Sequence, residues 1–212
     1  IMVHRTPFIL PMLYPSLTWR NPTNIKQLFL TFDDGPVTGP TELVLDTLGR
    51  FNIRATFFCI GDNIKKHPDI FKAIIGAGHK VGNHTHNHLN GWKTARTNYV
   101  KNVEDCNKQI AEHLPMESAA TRIFRPPYGR ITRGQIKSLT NFSIIMWDVL
   151  AIDYNAGLSA TRCLRNTISA TRSGSITVFH DSYKAEKNLT FALPGYIDHF
   201  LSLGFEFKVV PG

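Results

Sequence analysis

The chain has 212 residues, of which 42% are apolar and 19% are charged, so it is long enough for one domain with a sizeable core. This ordinary composition excludes a disordered chain and a membrane-embedded class. The net charge of +8 favours anionic surroundings, but Lys and Arg are scattered rather than clustered, which argues against nucleic-acid binding.

Short apolar stretches interrupted by Pro7, Pro11 and Pro15 open the chain. A spanning helix needs roughly 20 apolar residues, and neither the unbroken apolar centre nor the cleavage site of a signal peptide is clear. We therefore expect no transmembrane segment, and an N-terminal arm of residues 1–24 packed on a catalytic domain of residues 25–212. The localisation stays open between cytoplasm and cell envelope.

Seven short apolar runs that end in polar residues or in Gly and Pro predict strands. They cover residues 27–32, 54–60, 79–85, 121–127, 143–149, 175–181 and 205–210. Near-continuous apolar runs are typical of strands buried on both faces. Helical spacing between them, as in 38–52, 67–79 and 98–114, predicts helices. The alternation indicates βαβ units, and we expect an α/β fold with a mainly parallel sheet closed into a barrel.

Ionisable residues follow five of these strands at the carboxyl end, where parallel folds place their chemistry. In chain order they are Asp33 and Asp34, then His84, His86 and His88, then Arg125, then Asp148 and Asp153, and finally His180 and Asp181. This coincidence predicts one functional site at that end of the sheet.

The segment GNHTHNH carries three imidazoles at alternate positions. On a helical turn His84 and His88 share a face, whereas on a strand all three would point to one side. Two histidines and one carboxylate form a ligand set that leaves an open position on a catalytic zinc. A carboxylate from the first strand therefore favours a metal site over a histidine-rich surface loop.

The adjacent pair Asp33 and Asp34 can divide two tasks, because successive side chains of a strand point opposite ways. One carboxylate can bind the metal while the other accepts a proton from water, whose pKa the metal lowers toward ~7. Gly35-Pro36 ends the strand and lets the backbone approach the ion. An Asp-Gly turn with two solvated carboxylates is the alternative.

Two further strand-end residues have chemistry that suits such a site. Arg125 can pair bidentately with a carboxylate, and we expect it to orient Asp33. His180 can serve as a general acid, because a neighbouring carboxylate such as Asp153 raises its pKa and keeps it protonated. A surface arginine before a Pro-Pro turn and a structural histidine are the alternatives.

The ordered motifs TFDDGP, HTxxH, RPPYG, WDV…D and a final apolar-x-HD strand resemble those of the polysaccharide deacetylases. These are the family 4 carbohydrate esterases, with the NodB-homology domain, and the resemblance runs from about residue 28 to residue 180. It implies a distorted (β/α) barrel with a divalent metal, usually zinc, that removes N- or O-acetyl groups from a carbohydrate polymer. Cobalt, nickel, manganese or iron could occupy the same ligand set.

The resemblance also implies a metal ligand set and a base. Asp33 would be the base and Asp34 a metal ligand, with His84 and His88 completing the site. His86 would lie outside the coordination.

Other matched residues would assist the chemistry. Arg125 would brace Asp33, and the backbone N–H of Tyr128 would stabilise the oxyanion of the tetrahedral intermediate. His180, tuned by Asp153, would protonate the departing amine.

The fourth motif departs from the family pattern DxxDW, since LAIDY has Leu150 for the first Asp and Tyr154 for the Trp. That Trp normally walls the pocket for the acetyl methyl, so Tyr154 bears on acceptor preference more than on chemistry. Val178 stands where a Leu usually lines this pocket. Aromatic side chains that could stack on sugar rings are Trp92, Tyr128 and Trp147.

The leading hypothesis is a metal-dependent amide hydrolase acting on N-acetylated carbohydrate, such as chitooligosaccharide, peptidoglycan or another envelope polysaccharide. One alternative is a related C–N hydrolase on a small non-sugar amide, since fold and metal site do not define the substrate. Another is a catalytically inactive carbohydrate-binding protein, which is disfavoured because every proposed catalytic position carries a competent residue.

Overall fold

The computed structural model describes residues 4–114 and 121–211, in which short strands alternate with helices. The strands are β1 (Gln27–Asp33), β2 (Thr56–Cys59), β3 (Lys80–Asn83), β4 (Ile123–Phe124), β5 (Ser143–Ile144), β6 (Val149–Leu150), β7 (Ile176–His180) and β8 (Glu206–Lys208). The helices are α1 (Ile9–Leu13), α2 (Pro40–Arg50), α3 (Gly61–Lys66), α4 (Pro68–Gly76), α5 (Arg96–Ala111), α6 (Arg133–Ser138), α7 (Ala160–Ala170) and α8 (Glu186–Ser202). In these described ranges, each helix is too short or too polar to cross a bilayer.

The strands form one sheet in the order β5-β4-β3-β2-β1-β7-β6, and β8 pairs with the start of β1. Every strand pair of the described ranges is parallel. The sheet curls into an incomplete barrel whose end strands are β5 and β6. The predicted α/β fold, a distorted barrel with a parallel sheet, is confirmed.

The predicted strand over 143–149 is wrong as a single element, because it divides into β5 and β6 at opposite ends of the sheet. The side chain of Arg125 explains the division. Its guanidinium donates to the carbonyls of Ile145 and Met146, at 3.2 and 3.0 Å, so these groups bond to a side chain and not to a neighbouring strand. The chain can then leave one edge of the sheet and rejoin the other.

Side chains of β1 alternate between the two faces of the sheet. Leu28, Leu30 and Phe32 are fully buried in the cluster formed with the outer helices. Phe29 belongs to a separate interior cluster, so Asp33, four residues later on the same face, also points inside. This register brings a carboxylate to the barrel interior at the carboxyl end of its central strand.

The N-terminal segment runs along both end strands of the sheet. Thr6 N–H donates to the Asp148 carbonyl at 2.8 Å, and Leu150 N–H donates to the His4 carbonyl at 2.8 Å. Further on, Thr18 N–H donates to the Ile144 carbonyl at 2.9 Å. The segment thus bonds to the chain at β6 and at β5, while the predicted boundary at residue 24 stays a prediction.

The hydroxyl of Tyr196 joins α8 to β7, and its removal should destabilise the protein. It lies 2.9 Å from Thr177 Oγ1 and 3.2 Å from Thr171 Oγ1 in a fully buried position. We expect Tyr196→Phe to lower the free energy of unfolding by about 1 kcal/mol, measured by urea denaturation. Tyr183→Phe, at a residue 63% exposed, is the control, and equal stability of the two variants would contradict the prediction.

Candidate active site

A cleft of about 580 Å³ opens at the carboxyl ends of the strands. Predicted site residues that line it are Asp33, Asp34, His84, His88, Tyr128, Trp147, Tyr154 and His180. The departure Leu150 lines it as well, together with Ser182, Tyr183 and Lys184 of the loop after β7. The strand ends therefore converge, as the sequence predicted.

The acidic loop after β1 has an unusual backbone. Asp34 has a φ of +87°, and the peptide Gly35-Pro36 is cis. Residues other than glycine rarely adopt a positive φ. This backbone conformation costs of order 1–3 kcal/mol and persists only where neighbouring structure enforces it. Here Asn63 Nδ2 donates to the Asp34 carbonyl at 2.7 Å and holds the turn from outside. The turn directs Asp34 away from the face that Asp33 occupies.

Asp181 is a buried brace for this loop that the sequence did not reveal as such. Its carboxyl accepts from Gly35 N–H at 3.0 Å and from Thr41 Oγ1 at 2.7 Å, while its own N–H donates to the Asp33 carbonyl at 3.1 Å. A Cβ at Gly35 would overlap this carboxyl, so only glycine fits. Burial raises the pKa of Asp181 to about 8, although hydrogen bonds from Thr41 and Gly35 act in the opposite direction.

The histidine loop after β3 presents two imidazoles to Asp34. His84 Nε2 lies 3.7 Å and His88 Nε2 lies 3.2 Å from Asp34 Oδ1. The Nδ1 of His84 lies 2.7 Å from the Arg125 carbonyl, which can only accept, so Nδ1 carries the proton and Nε2 keeps its lone pair. His88 has a φ of +54°, and the loop is held by Asn102 Oδ1, which accepts the His86 N–H at 2.9 Å.

Asp34, His84 and His88 form a candidate metal site. One ligand atom from each lies within 4.8 Å of the others. In the described ranges, these three side chains are the group that lies close enough together to share one metal ion. Burial lowers the pKa of His84 to about 4, so the imidazole is neutral, as a ligand must be. Burial opposes ionisation of Asp34, but the bond to His88 and nearby imidazoles lower its pKa overall. The donor set therefore fits a divalent ion such as zinc.

Arg125 forms a buried ion pair with Asp33. The guanidinium is fully buried, and its Nη1 donates to Asp33 Oδ1 at 2.7 Å and to Thr31 Oγ1 at 2.8 Å. The ring of Phe58 lies 4.0 Å from the guanidinium carbon. Burial lowers the pKa of Arg125, while the charge of Asp33 and its hydrogen bond act in the opposite direction. The sequence led us to expect this pair, but the contact is made by one guanidinium nitrogen and is not bidentate, because Nη2 and Nε donate to the carbonyls of Met146 and Ile145.

His180 and Asp153 form a second buried pair. Asp153 accepts twice from His180, through Oδ1 from the ring Nδ1 and through Oδ2 from the backbone N–H, both at 2.8 Å. Burial alone would lower the pKa of His180, but Asp153 and the nearby carboxylates raise it to about 9. Asn188 of α8 holds the loop, because its Nδ2 donates to the Asp153 carbonyl at 2.9 Å. Since Nδ1 is engaged, Nε2 is the ring nitrogen available to the cleft.

Aromatic side chains form the walls beside these groups. The ring centroid of Tyr128 lies 4.6 Å from that of His88, and the Tyr128 backbone has a φ of +60°. Tyr154 contacts His180 edge to face at 4.9 Å between centroids. Trp147 is half-buried in the cleft wall.

Three residues with predicted or suspected site positions lie elsewhere. Asp148 accepts from Ser175 Oγ at 2.6 Å and pairs with Arg172 at 3.0 Å, so it serves the structure and lies outside the cleft lining. Val178 is fully buried in β7 and does not line the cleft, and its acetyl-pocket role stays a prediction. Trp92 is 65% exposed beyond the cleft lining, beside Arg130.

The known proteins that are similar to this chain include several deacetylases. The family model described as "Polysaccharide deacetylase" matches residues 20–145. A peptidoglycan-N-acetylglucosamine deacetylase of Bacillus cereus is 35% identical over 84% of this chain, and the chain spans 63% of that protein. A chitooligosaccharide deacetylase of Sinorhizobium fredii is 32% identical over 76% of this chain and 75% of its own length.

A solved structure extends the likeness to the whole fold. A peptidoglycan N-acetylglucosamine deacetylase in complex with 4-naphthalen-1-yl-N-oxidanyl-benzamide is 32% identical. It superposes with a TM-score of 0.88 and covers 97% of this chain and 95% of its own.

The brace by Asp181 generates a testable prediction. Asp181→Ala should loosen the loop that carries Asp33 and Asp34, and we expect zinc affinity to fall about 10–100-fold, as for other residues that orient ligands. Asp181→Asn mimics the neutral carboxyl and should stay near wild type. Competition with a chromophoric chelator measures the affinity, and equal zinc affinity of Asp181→Ala and the wild-type protein would contradict this role.

Proposed function

The chain belongs to the polysaccharide deacetylase family, and from this premise we propose that it hydrolyses the N-acetyl amide of a glycan of the peptidoglycan or chitooligosaccharide type. One observation carries the proposal. The cluster of Asp34, His84 and His88 lies in one cleft with a separate carboxylate, Asp33, that is bound to a buried arginine. The names of the relatives support a glycan amide as the substrate.

We propose that Asp34, His84 and His88 hold a divalent metal, with zinc as the expected ion. Once bound, such an ion polarises a carbonyl oxygen and lowers the pKa of water at its open position toward ~7. The Nδ1 bond of His84 to the Arg125 carbonyl orients the first imidazole for this task. Cobalt, nickel, manganese and iron accept the same donors.

Asp33 is proposed as the general base. Its Oδ1 accepts a hydrogen bond from Arg125, and the residue lines the cleft together with Asp34, His84 and His88. Its other oxygen can therefore accept a proton from the attacking water. The arginine fixes the position of the carboxylate in the cleft. The backbone N–H of Tyr128 is proposed to donate to the oxygen that becomes negative when the amide carbon turns tetrahedral.

His180 is proposed as the general acid. Asp153 engages Nδ1 and raises the pKa of the ring, so Nε2 carries a proton at neutral pH. That proton passes to the amide nitrogen when the C–N bond breaks, and the glycan amine and acetate leave. The proposed reaction therefore has one group placed to accept a proton, Asp33, and another placed to donate one, His180.

The cleft walls support a sugar substrate. Tyr128 and Tyr183 are 59% and 63% exposed at its mouth, and flat rings offer apolar area to a pyranose face. Tyr154 and Leu150 line the cleft near His180 and are the proposed walls of the acetyl pocket. This supports a glycan over a small free amide, which would leave the outer rings unused.

Acetate release tests the proposal directly. The chelator-treated protein, with and without added zinc, is incubated with N-acetylchitooligosaccharides, with peptidoglycan glycan fragments and with a small non-sugar acetamide. We expect zinc-dependent acetate from at least one glycan and little from the small amide. Acetate from the small amide alone would favour the non-sugar alternative, and glycan binding without any release would favour an inactive binding protein.

Substitutions in the cluster should separate metal binding from turnover. His84→Ala should lose the metal, whereas Asp33→Asn should keep it and lower kcat about 10²–10⁴-fold, because it removes the base. Metal content by atomic absorption and kcat by acetate release measure the two effects. His86→Ala is the matched control in the same loop and should keep both. Wild-type turnover in Asp33→Asn would refute the base assignment.

The acid role predicts a shift in pH dependence. A general acid works only while protonated, so kcat should fall as pH rises through the pKa of His180. Asp153→Asn removes the charge that raises this pKa, and the alkaline fall in kcat should move to lower pH. An unchanged alkaline limb in Asp153→Asn, or unchanged turnover in His180→Ala, would be incompatible with the role.

A further inference from the structure

The N-terminal segment exposes apolar side chains that the proposed chemistry does not use. Helix α1 contains no buried residue. Phe8, Ile9, Met12 and Leu13 are 79%, 48%, 69% and 54% exposed. Their spacing of one and four residues groups them on one side of the helical turn. Exposed apolar patches rimmed by polar residues mark protein or membrane interaction sites when they are large, and we name these four residues the α1 patch.

The surroundings of the α1 patch are cationic. Arg5 and Arg20 line one groove with Phe8 and Pro11, and the first 32 residues of the chain contain no Asp or Glu. No carboxylate of the described ranges forms an ion pair with Arg5 or Arg20, and the one carboxylate that lines this groove, Asp148, pairs with Arg172. The guanidinium of Arg133 adds a further cation, 5.9 Å from the ring of Tyr14.

The segment that carries the α1 patch is bonded to the domain on both sides. Before α1, the Thr6 hydroxyl donates to the Trp147 carbonyl at 2.7 Å. After it, Trp19 Nε1 donates to the Tyr14 carbonyl at 3.1 Å, and Met146 N–H donates to the Thr18 carbonyl at 2.7 Å. The apolar side chains therefore project from a segment that is fixed to the domain, and the described residues leave them exposed.

We propose that the α1 patch docks the protein on an anionic lipid surface. Amphipathic segments that lie in the bilayer interface combine large apolar side chains with Lys and Arg, and anionic headgroups attract the cations. A second copy of this chain is disfavoured, because the cations around the patch would face each other in a molecule of net charge +8. A glycan is disfavoured as well, since only Phe8 of the four side chains offers a ring for a sugar face.

Vesicle flotation with the full chain tests the docking. The probes are phosphatidylcholine vesicles with and without phosphatidylglycerol, in about 0.1 M and about 1 M salt, between which the Debye length falls from about 10 to 3 Å. We expect binding to the anionic vesicles at low salt, and at least a tenfold weaker binding at high salt or without the anionic lipid. Absence of binding to anionic vesicles, or equal binding to both vesicle types, would overturn the proposal.

Single substitutions identify the surface responsible. Phe8→Ser and Met12→Ser should each weaken vesicle binding several-fold, whereas Phe191→Ser, at an exposed phenylalanine of α8, should not. Wild-type binding by Phe8→Ser, or a lipid-free dimer that Phe8→Ser dissolves in analytical ultracentrifugation, would overturn the assignment. Acetate release from soluble oligosaccharide should be the same in all three variants, so vesicle binding and the proposed reaction succeed or fail separately.

Discussion

The site depends on the contacts of Arg125, whose guanidinium is fully buried. It donates to Asp33 and Thr31 of β1, to the carbonyls that follow β5, and it lies against Phe58 of β2. Its own carbonyl accepts from His84, so one residue sets both the proposed base and a proposed metal ligand. A buried charge without its partner typically costs about 3–5 kcal/mol. An oxygen at position 33 that accepts from this cation therefore stabilises the barrel as well as the site, which ties the packing of the barrel to the order of the site.

Strained backbone accumulates around this contact. Six described residues other than glycine have positive φ, and five of them, namely Asp34, Thr85, His88, Tyr128 and Ile152, belong to the loops of the cleft. Side chains from neighbouring elements hold three of these loops, since Asp181 binds the acidic loop, Asn102 the histidine loop and Asn188 the loop of Asp153. Strain that persists at one end of a barrel is the cost of aiming several side chains at one small volume. The rest of the fold, with its apolar interior and outer helices, supplies the stability that offsets this cost.

The sequence predicted those features that have a local signature. Near-continuous apolar runs indicated the parallel sheet, and carboxylates and imidazoles after them indicated which end holds the chemistry. Contacts between distant residues have no such signature. The sequence places Asp148 and Asp153 alike, near the end of the predicted strand 143–149, yet Asp148 directly precedes β6, and Ser175 and Arg172 bind it outside the cleft. The division of the run 143–149 depends on Arg125, about 20 residues earlier in the chain. The dipeptide His180-Asp181 indicated two ionisable groups. The hydrogen bond from Gly35 N–H to the Asp181 carboxyl joins residues that are far apart in the sequence, so only the fold reveals it.

The proposed reaction needs a single divalent ion held by Asp34 and two imidazoles, with Asp33 left unbound beside it. Anomalous diffraction at the zinc edge, from a crystal grown with zinc, tests this most directly. This arrangement predicts one strong anomalous peak within bonding distance of Asp34 Oδ1, His84 Nε2 and His88 Nε2, and no zinc bond to Asp33. A peak coordinated by Asp33, or no peak near these three atoms, would contradict it.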